Sequence, residues 1–541
     1  MNRVAALAGA RTVLLVAGSA LTVYGAVLWW TDPLANTPAQ ATGVTLALPG
    51  VCAGWSLAVW GISARQRVLS KSVFAAGFVA SAWLCGRYVM ELADDGYTPD
   101  GILLVALGTL TLTTAATVDL MARAFDPDKT TPRALLHSRP ALLGAGSALV
   151  ALALVAVALA PLMPYTRITT ADAGQDPYPD QSRHVTGEVA WTHTVESPVL
   201  DSAAGSRGPL VVLEDGVIAL DSADGSVLWE RRRSSVSQCQ LGGDPVGLKQ
   251  RPYIVTSPDG AHAVLLSGQC ATRGRLEIVE TATGRIVTGR DVTEPPAVQL
   301  TNQVALAGGE GISLTDGATL WYRDDDGNID SGTAGLSHFI ALPNCQEAVC
   351  PAEVFADTDP ADTREIQYIR AQGGSKTPLA SGWLVQPTTG TTPDSTSGPI
   401  AMQAYSIDTE ETVPLGPFRF VYPASPTRLV LEDPEDTANV FDSATRTLTP
   451  TKASTLSVAL DEDRAWPTND VHKAEWVDGK LQLSTNKGPI PIPADLPATD
   501  SPTHKASAWA APGCVMVEGT WLGTEAGGKA NRYRTYLACV R

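Results

Sequence analysis

Positive charge is scarce in this sequence: 39 Lys+Arg stand against 56 Asp+Glu, a formal net charge of −17. Residues 1–164 hold 10 of the basic and 8 of the acidic residues, so 29 and 48 fall to the remainder and give it −19. A surface this acidic repels phosphate backbones, which argues against nucleic acid as a partner. Motifs of catalysis are also lacking. Gly373-Gly374-Ser375-Lys376-Thr377 has the residues of a phosphate loop but not its Gly-x-x-x-x-Gly-Lys frame, and it reads as a connecting loop. The seven histidines are dispersed, with no His-Glu-x-x-His or clustered Cys/His spacing, and no Gly-x-Ser-x-Gly elbow occurs. The sequence therefore assigns no catalytic residue, no cofactor-binding residue and no cofactor.

Charge is almost absent from five apolar segments, about Thr12–Thr31, Val44–Ser63, Ser72–Met90, Gly101–Met121 and Ala141–Met163. Each has the roughly 20 residues needed to cross a hydrocarbon core as helix. Nine Lys or Arg fall in the N-terminus and in alternate loops, and none in loops 32–43 and 91–100. Basic loops stay cytoplasmic, so this count predicts an inside N-terminus and an outside C-terminal part, with Trp29 and Trp30 at the outer interface. The expectation is a five-helix transmembrane domain over 1–164, a linker over 165–186, a C-terminal extracytoplasmic domain over 187–541, and a multi-pass location with the lipid bilayer as partner. Arg87, Glu91 and Asp119 lie near the ends of their segments and read as interfacial groups.

Two of the eight cysteines, Cys52 and Cys85, lie in apolar runs, and the other six lie in the acidic part. In an oxidising compartment the expected disulfides join neighbours, Cys239–Cys270, Cys345–Cys350 and Cys514–Cys539, although six cysteines permit about 15 connectivities.

After residue 186 no stretch has helical apolar spacing, whereas short alternating or β-branched runs recur between Gly, Asp and Pro clusters. The domain should be all β. Pro209–Arg233, PLVVLEDGVIALDSADGSVLWERRR, reads as three strands with tight turns at Asp215-Gly216 and Asp224-Gly225. A Trp four residues after the second Gly is placed to pack between blades of a propeller. Weaker copies carry Gly284, with Thr288 at the Trp position, and Gly317 with Trp321; Val440–Thr449 and Glu475–Leu483 keep only the strand-turn-strand outline. About 355 residues at roughly 45 per blade predict a β-propeller of seven or eight blades, with a pair of β-sandwiches as the alternative. Glu188–Val195 is placed to close the ring beside Val515–Leu522 and Arg534–Val540.

The run Ile218, Ala219, Leu220, Asp221, Gly225, Leu228 and Trp229 resembles the pyrroloquinoline-quinone-type propeller repeat, fully in one blade and in part in two or three others. Asp221, Gly225, Trp229, Gly284, Gly317 and Trp321 are then its structural positions. Five helices before such a propeller also resemble the membrane-bound glucose dehydrogenases, which implies a quinone-dependent enzyme as an alternative. Those propellers are far longer, however, and their cofactor and Ca²⁺ ligands have no counterpart here. Asp324, Asp326, Asn328 and Asp330 alternate as Ca²⁺ ligands do, but Ile329 and Gly335 stand where an EF-hand needs Gly and Glu, so they are weak metal candidates. The composition resembles that of actinobacterial proteins. The functional expectation is a membrane-anchored, non-catalytic binding or scaffold propeller in the cell envelope, with an envelope protein or polymer as partner; a divergent quinone-dependent dehydrogenase or other envelope enzyme is the alternative.

Overall fold

The computed structural model describes residues 2–31 and 102–125, a few positions between 140 and 148, and most of 166–541. Outside the description in that last stretch are 173–184, 234–235, 243–251, 271–272, 324–331, 343–348, 370–378, 389–399, 419, 426–427, 433–437, 452–470, 486, 496–502 and 525–530. Two compact units are present, Met1–Thr166 with Arg233–Ser237, and Arg167–Arg232 with Gln238–Arg541.

In the first unit, α1 (Asn2–Thr31) packs against α2 (Ile102–Phe125). Small residues set the approach: a Cβ on Gly18 would lie 2.9 Å from the Leu112 side chain, and one on Gly108 would lie 2.6 Å from the Thr22 backbone nitrogen. Thr22, Thr111, Thr113 and Thr114 turn their hydroxyls back onto carbonyls four residues earlier.

Among the described residues, no helix is long and apolar enough to cross a membrane. This corrects the expectation of five transmembrane helices, and with it the multi-pass location and the bilayer as partner. The two expected segments that fall on described helices have their aliphatic runs diluted by Gly18, Ser19 and Thr22, and by Gly108, Thr109, Thr111, Thr113 and Thr114. The segments 44–63, 72–90 and, but for isolated positions, 141–163 lie outside the described residues, as do Arg87, Glu91 and the Asp119 side chain.

Among the described residues eight sheets are present: six are formed by consecutive strands, the first also takes in Thr166–Ile168, and the eighth is closed by a strand from the start of the domain. The first contains Val199–Ala204, Pro209–Leu213, Gly216–Leu220 and Val227–Arg233, with Thr166–Ile168 on its outer edge. The sheets that follow run from Ser237 to Val292, Val298 to Thr333, His338 to Ile369, Leu379 to Phe418, Phe420 to Thr451 and Val471 to Asp495. In the eighth, Thr503–Ala511, Cys514–Thr524 and Asn531–Val540 are followed on the outer edge by Val189–Val195, pairing Trp191 with Cys539 and Thr194 with Tyr536. The N–H of Gly187 donates to the Arg541 carbonyl at 2.8 Å, and the N–H of Arg541 to the Glu188 carbonyl at 2.8 Å. This is a β-propeller-like architecture in which the start and the end of the domain share one blade.

The core lies between sheets. Leu210, Val212, Val217 and Ala219 face Ile254, Ala263 and Leu265 of the second sheet, while Val211, Leu213, Ile218 and Leu220 face Trp509, Met516 and Leu537 of the eighth. Both faces of the first sheet are thus buried. That is why its strands are continuous apolar runs and not alternations.

Candidate functional site

At the seams from the eighth sheet through to the fourth, one sheet meets the next at the turn joining that next sheet's outer two strands. Asp221 begins such a turn: its Oδ1 accepts from the Ala223 N–H at 2.8 Å, its carbonyl from the Gly225 N–H at 2.8 Å, and its Oδ2 from the Arg207 guanidinium at 2.6 Å. Gly225, Gly284 and Gly317 complete three such turns at φ of 75°, 71° and 73°, a region that costs other residues about 1–2 kcal/mol. The preceding sheet presses an indole on this glycine. Trp191 lies on Gly225, with its Nε1 donating to the Ser222 carbonyl at 3.0 Å; Trp229 lies on Gly284, donating to the Thr281 carbonyl at 2.7 Å. At the next seam Thr288 lies against Gly317, and the Arg290 guanidinium donates to the Gly317 carbonyl at 2.7 Å. Trp321 donates to the Asp357 carbonyl of the fourth sheet at 2.7 Å and meets Phe339 and Phe355 edge-on. Among the expected structural residues, Trp229 is fully buried and Trp321 partly so.

One polar cluster has the residue types of a hydrolytic triad. Ser337 Oγ lies 3.0 Å from His338 Nδ1, which lies 3.3 Å from Asp408 Oδ1. A triad requires the acid on one imidazole nitrogen and the nucleophile on the other. Here both face the same nitrogen. Asp408 instead accepts the Leu336 and Ser337 N–H groups, each at 2.8 Å, and so clasps the fourth sheet to the fifth. Beside it, Asp357 accepts the Thr301 hydroxyl at 2.8 Å. Burial raises its carboxyl above the usual range, against the lowering effects of that hydrogen bond and of His338.

The alternative resemblance, to quinone-dependent dehydrogenases, implies a quinone and Ca²⁺. Among the described residues, no group of three or more His, Cys, Asp or Glu is arranged to hold a metal ion. The indoles of Trp191, Trp229 and Trp321, which could stack on a quinone, are committed to the seams. No residue set that would hold this cofactor is found among the described residues, and no chemistry is derived through it. Asp324, Asp326, Asn328 and Asp330 lie outside the described residues.

Disulfides join Cys239 to Cys270 and Cys514 to Cys539. Cys350 is also disulfide-bonded, and its expected partner Cys345 lies outside the described residues. Two features went unnoticed in the sequence. Arg207–Asp221 recurs as Arg428–Asp442, with the same spacing of 14 residues and the same Asp-Ser-Ala start to the turn. The second is the outer strand of the third sheet, Thr319–Tyr322, where Leu320 is 51% and Tyr322 72% exposed.

Residues 182–349 match the family model described as outer membrane protein assembly factor BamB. They cover the closing strand, the first three sheets and the start of the fourth. No curated protein matches the chain. Among solved structures, the β-propeller domain of Myceliophteria thermophila Cps50 (Swd1) is 12% identical with a TM-score of 0.27, over 66% of this chain and 100% of that one. The C-terminal WD40 domain of Sif2 is 11% identical at 0.25, over 58% and 100%, and TolB from Acinetobacter baumannii is 11% identical at 0.23, over 48% and 63%. Over residues 182–349 the chain is therefore similar to the BamB family model.

Proposed function

We propose that this chain is a non-catalytic binding propeller of the cell envelope whose partner is a protein. The observation that carries this reading is the match of residues 182–349 to a family described as an outer membrane protein assembly factor. Structural disulfides at Cys239–Cys270 and Cys514–Cys539 agree with an oxidising compartment such as the envelope. Seams locked by indoles and carboxylates hold the sheets rigidly, which suits a scaffold that presents surfaces. The formal charge of −17 favours a partner with a basic face.

The test is chemical cross-linking in cells followed by capture of the tagged full chain and identification of what is joined to it. A reproducible protein adduct, recovered reciprocally when that protein is tagged, is expected. Adducts with envelope polymer alone would contradict the reading. Turnover of an electron-accepting dye by purified protein supplied with pyrroloquinoline quinone and Ca²⁺ would establish the enzymatic alternative instead.

A further inference from the structure

The outer edge of a propeller sheet presents unpaired backbone groups, and proteins guard such edges with proline, charge or a covering strand. Among the described residues, six of the eight outer edges are guarded in one of these ways. The first is covered by Thr166–Ile168. The second contains Arg290 and Asp291, and the fourth Arg364 and Glu365. The fifth carries Pro414 and Pro417, the sixth Pro450, and the seventh Pro489, Pro491 and Pro493. The eighth, Val189–Val195, has neither proline nor charge, but the side chains it exposes, Thr192 and Thr194, offer no apolar surface.

The third edge, Thr319–Tyr322, also has neither proline nor charge, and among the described residues it is an edge strand of its sheet; unlike the eighth, it exposes apolar side chains. Its alternate side chains diverge: Trp321 is fixed inward by the Asp357 carbonyl, Phe339 and Phe355, whereas Leu320 and Tyr322 stand in solvent. The strand is therefore preset in extended form with its apolar side outward.

We infer that this edge is where a partner protein adds a β-strand, pairing with the Thr319–Tyr322 backbone and seating apolar side chains on Leu320 and Tyr322. The inference rests on the protein-binding reading and names the surface that serves it. The occupant is a basic extended segment of a different protein. Two copies of this chain, each at −17, repel one another, whereas a cationic strand is drawn to the domain and to Asp316, which is exposed on the turn leading into the edge.

The probe is a ten-residue peptide alternating valine with lysine or threonine, titrated against the full chain. The control is the same peptide N-methylated at alternate amides, which removes pairing and keeps composition. The unmodified peptide should bind, the methylated one at least tenfold more weakly, and the double variant Leu320→Lys/Tyr322→Lys should weaken binding at least tenfold. Val477→Lys, an exposed valine of the seventh sheet, should leave it unchanged. No binding to the unaltered chain, equal binding of both peptides, or an unaffected double variant would overturn the inference. In cells, a captured protein that stays on Leu320→Lys/Tyr322→Lys defeats the edge assignment and leaves the protein-binding reading standing; capture of no protein by either chain defeats both.

Discussion

The seam from the first sheet to the second and the seam from the second to the third have the same turn and different fillings. At the first, the fully buried Trp229 covers Gly284 and donates to the Thr281 carbonyl. At the second, the half-buried Thr288 takes the same place on Gly317, and the donor is the Arg290 guanidinium, which reaches the Gly317 carbonyl. The turn glycine and a donor to the turn are common to both. The large aromatic is not. What the repeat requires is a left-handed turn residue close enough to be covered; the indole adds burial to that requirement and does not define it.

Substitutions at the two seams separate these contributions. Trp229→Ala should cost about 3–5 kcal/mol, as large core truncations do, whereas Thr288→Ala should cost less than about 1 kcal/mol. Equal values in denaturant unfolding would mean that the indole seam is not the stronger one. Replacing Cys514 and Cys539 by Ser, at the seam between the eighth sheet and the first, should cost about 3 kcal/mol on the loop-entropy model and lower the melting temperature of the whole domain. Loss of only part of the calorimetric transition would show that the sheets do not unfold together.

Gly284→Ala should cost about 2 kcal/mol, because φ is 71° and the new Cβ would lie 2.6 Å from the Trp229 ring. Arg290→Ala removes a charged donor from the Gly317 carbonyl and should cost about 1 kcal/mol. The smallest effect is on pH dependence. Burial lowers the pKa of His193 and His262 below the ordinary 6.5, against the raising effects of the Gly225 backbone on one and of Asp259 and Glu280 on the other. A depressed histidine contributes stability that is present above 6.5 and is lost as pH falls through its folded value. Melting temperatures of His193→Gln and His262→Gln should therefore fall less than the parent's between pH 7 and 5; parallel curves would remove the histidines from the account.

The sequence signals that proved legible were those in which one residue type has one conformational use. Gly225, Gly284 and Gly317 marked their turns because they adopt positive φ, and Asp478-Gly479 marked a two-residue hairpin at φ of 49° and 75°. The closing strand, expected over Glu188–Val195 from its place at the start of the domain, pairs as Val189–Val195 with Asn531–Val540. The first hairpin turn was misplaced by one residue: Glu214 and Asp215 form it, and Gly216 already pairs with Leu213. The fifth and sixth sheets hid their turns because Glu410 and Arg446, at φ of 60° and 55°, stand where the repeat has glycine. The Asp408 clasp joins residues about seventy positions apart, which no local pattern encodes. Nor could a four-residue strand show which side faces outward; Leu320 and Tyr322 are exposed only because the fourth sheet captures Trp321. The five apolar segments were read for length and hydropathy alone, and glycine and hydroxyl residues in the two described helices weakened that reading.

The central claim is that Val189–Val195 closes the propeller as the outer strand of the eighth sheet. Native-state amide hydrogen exchange tests it most directly. If the ring is closed this way, the amides of 189–195 exchange as slowly as those of 531–540, and both segments speed up together when Cys514 and Cys539 are replaced. Exchange of 189–195 at the rate of an unstructured peptide, while 531–540 stays protected, would contradict the claim.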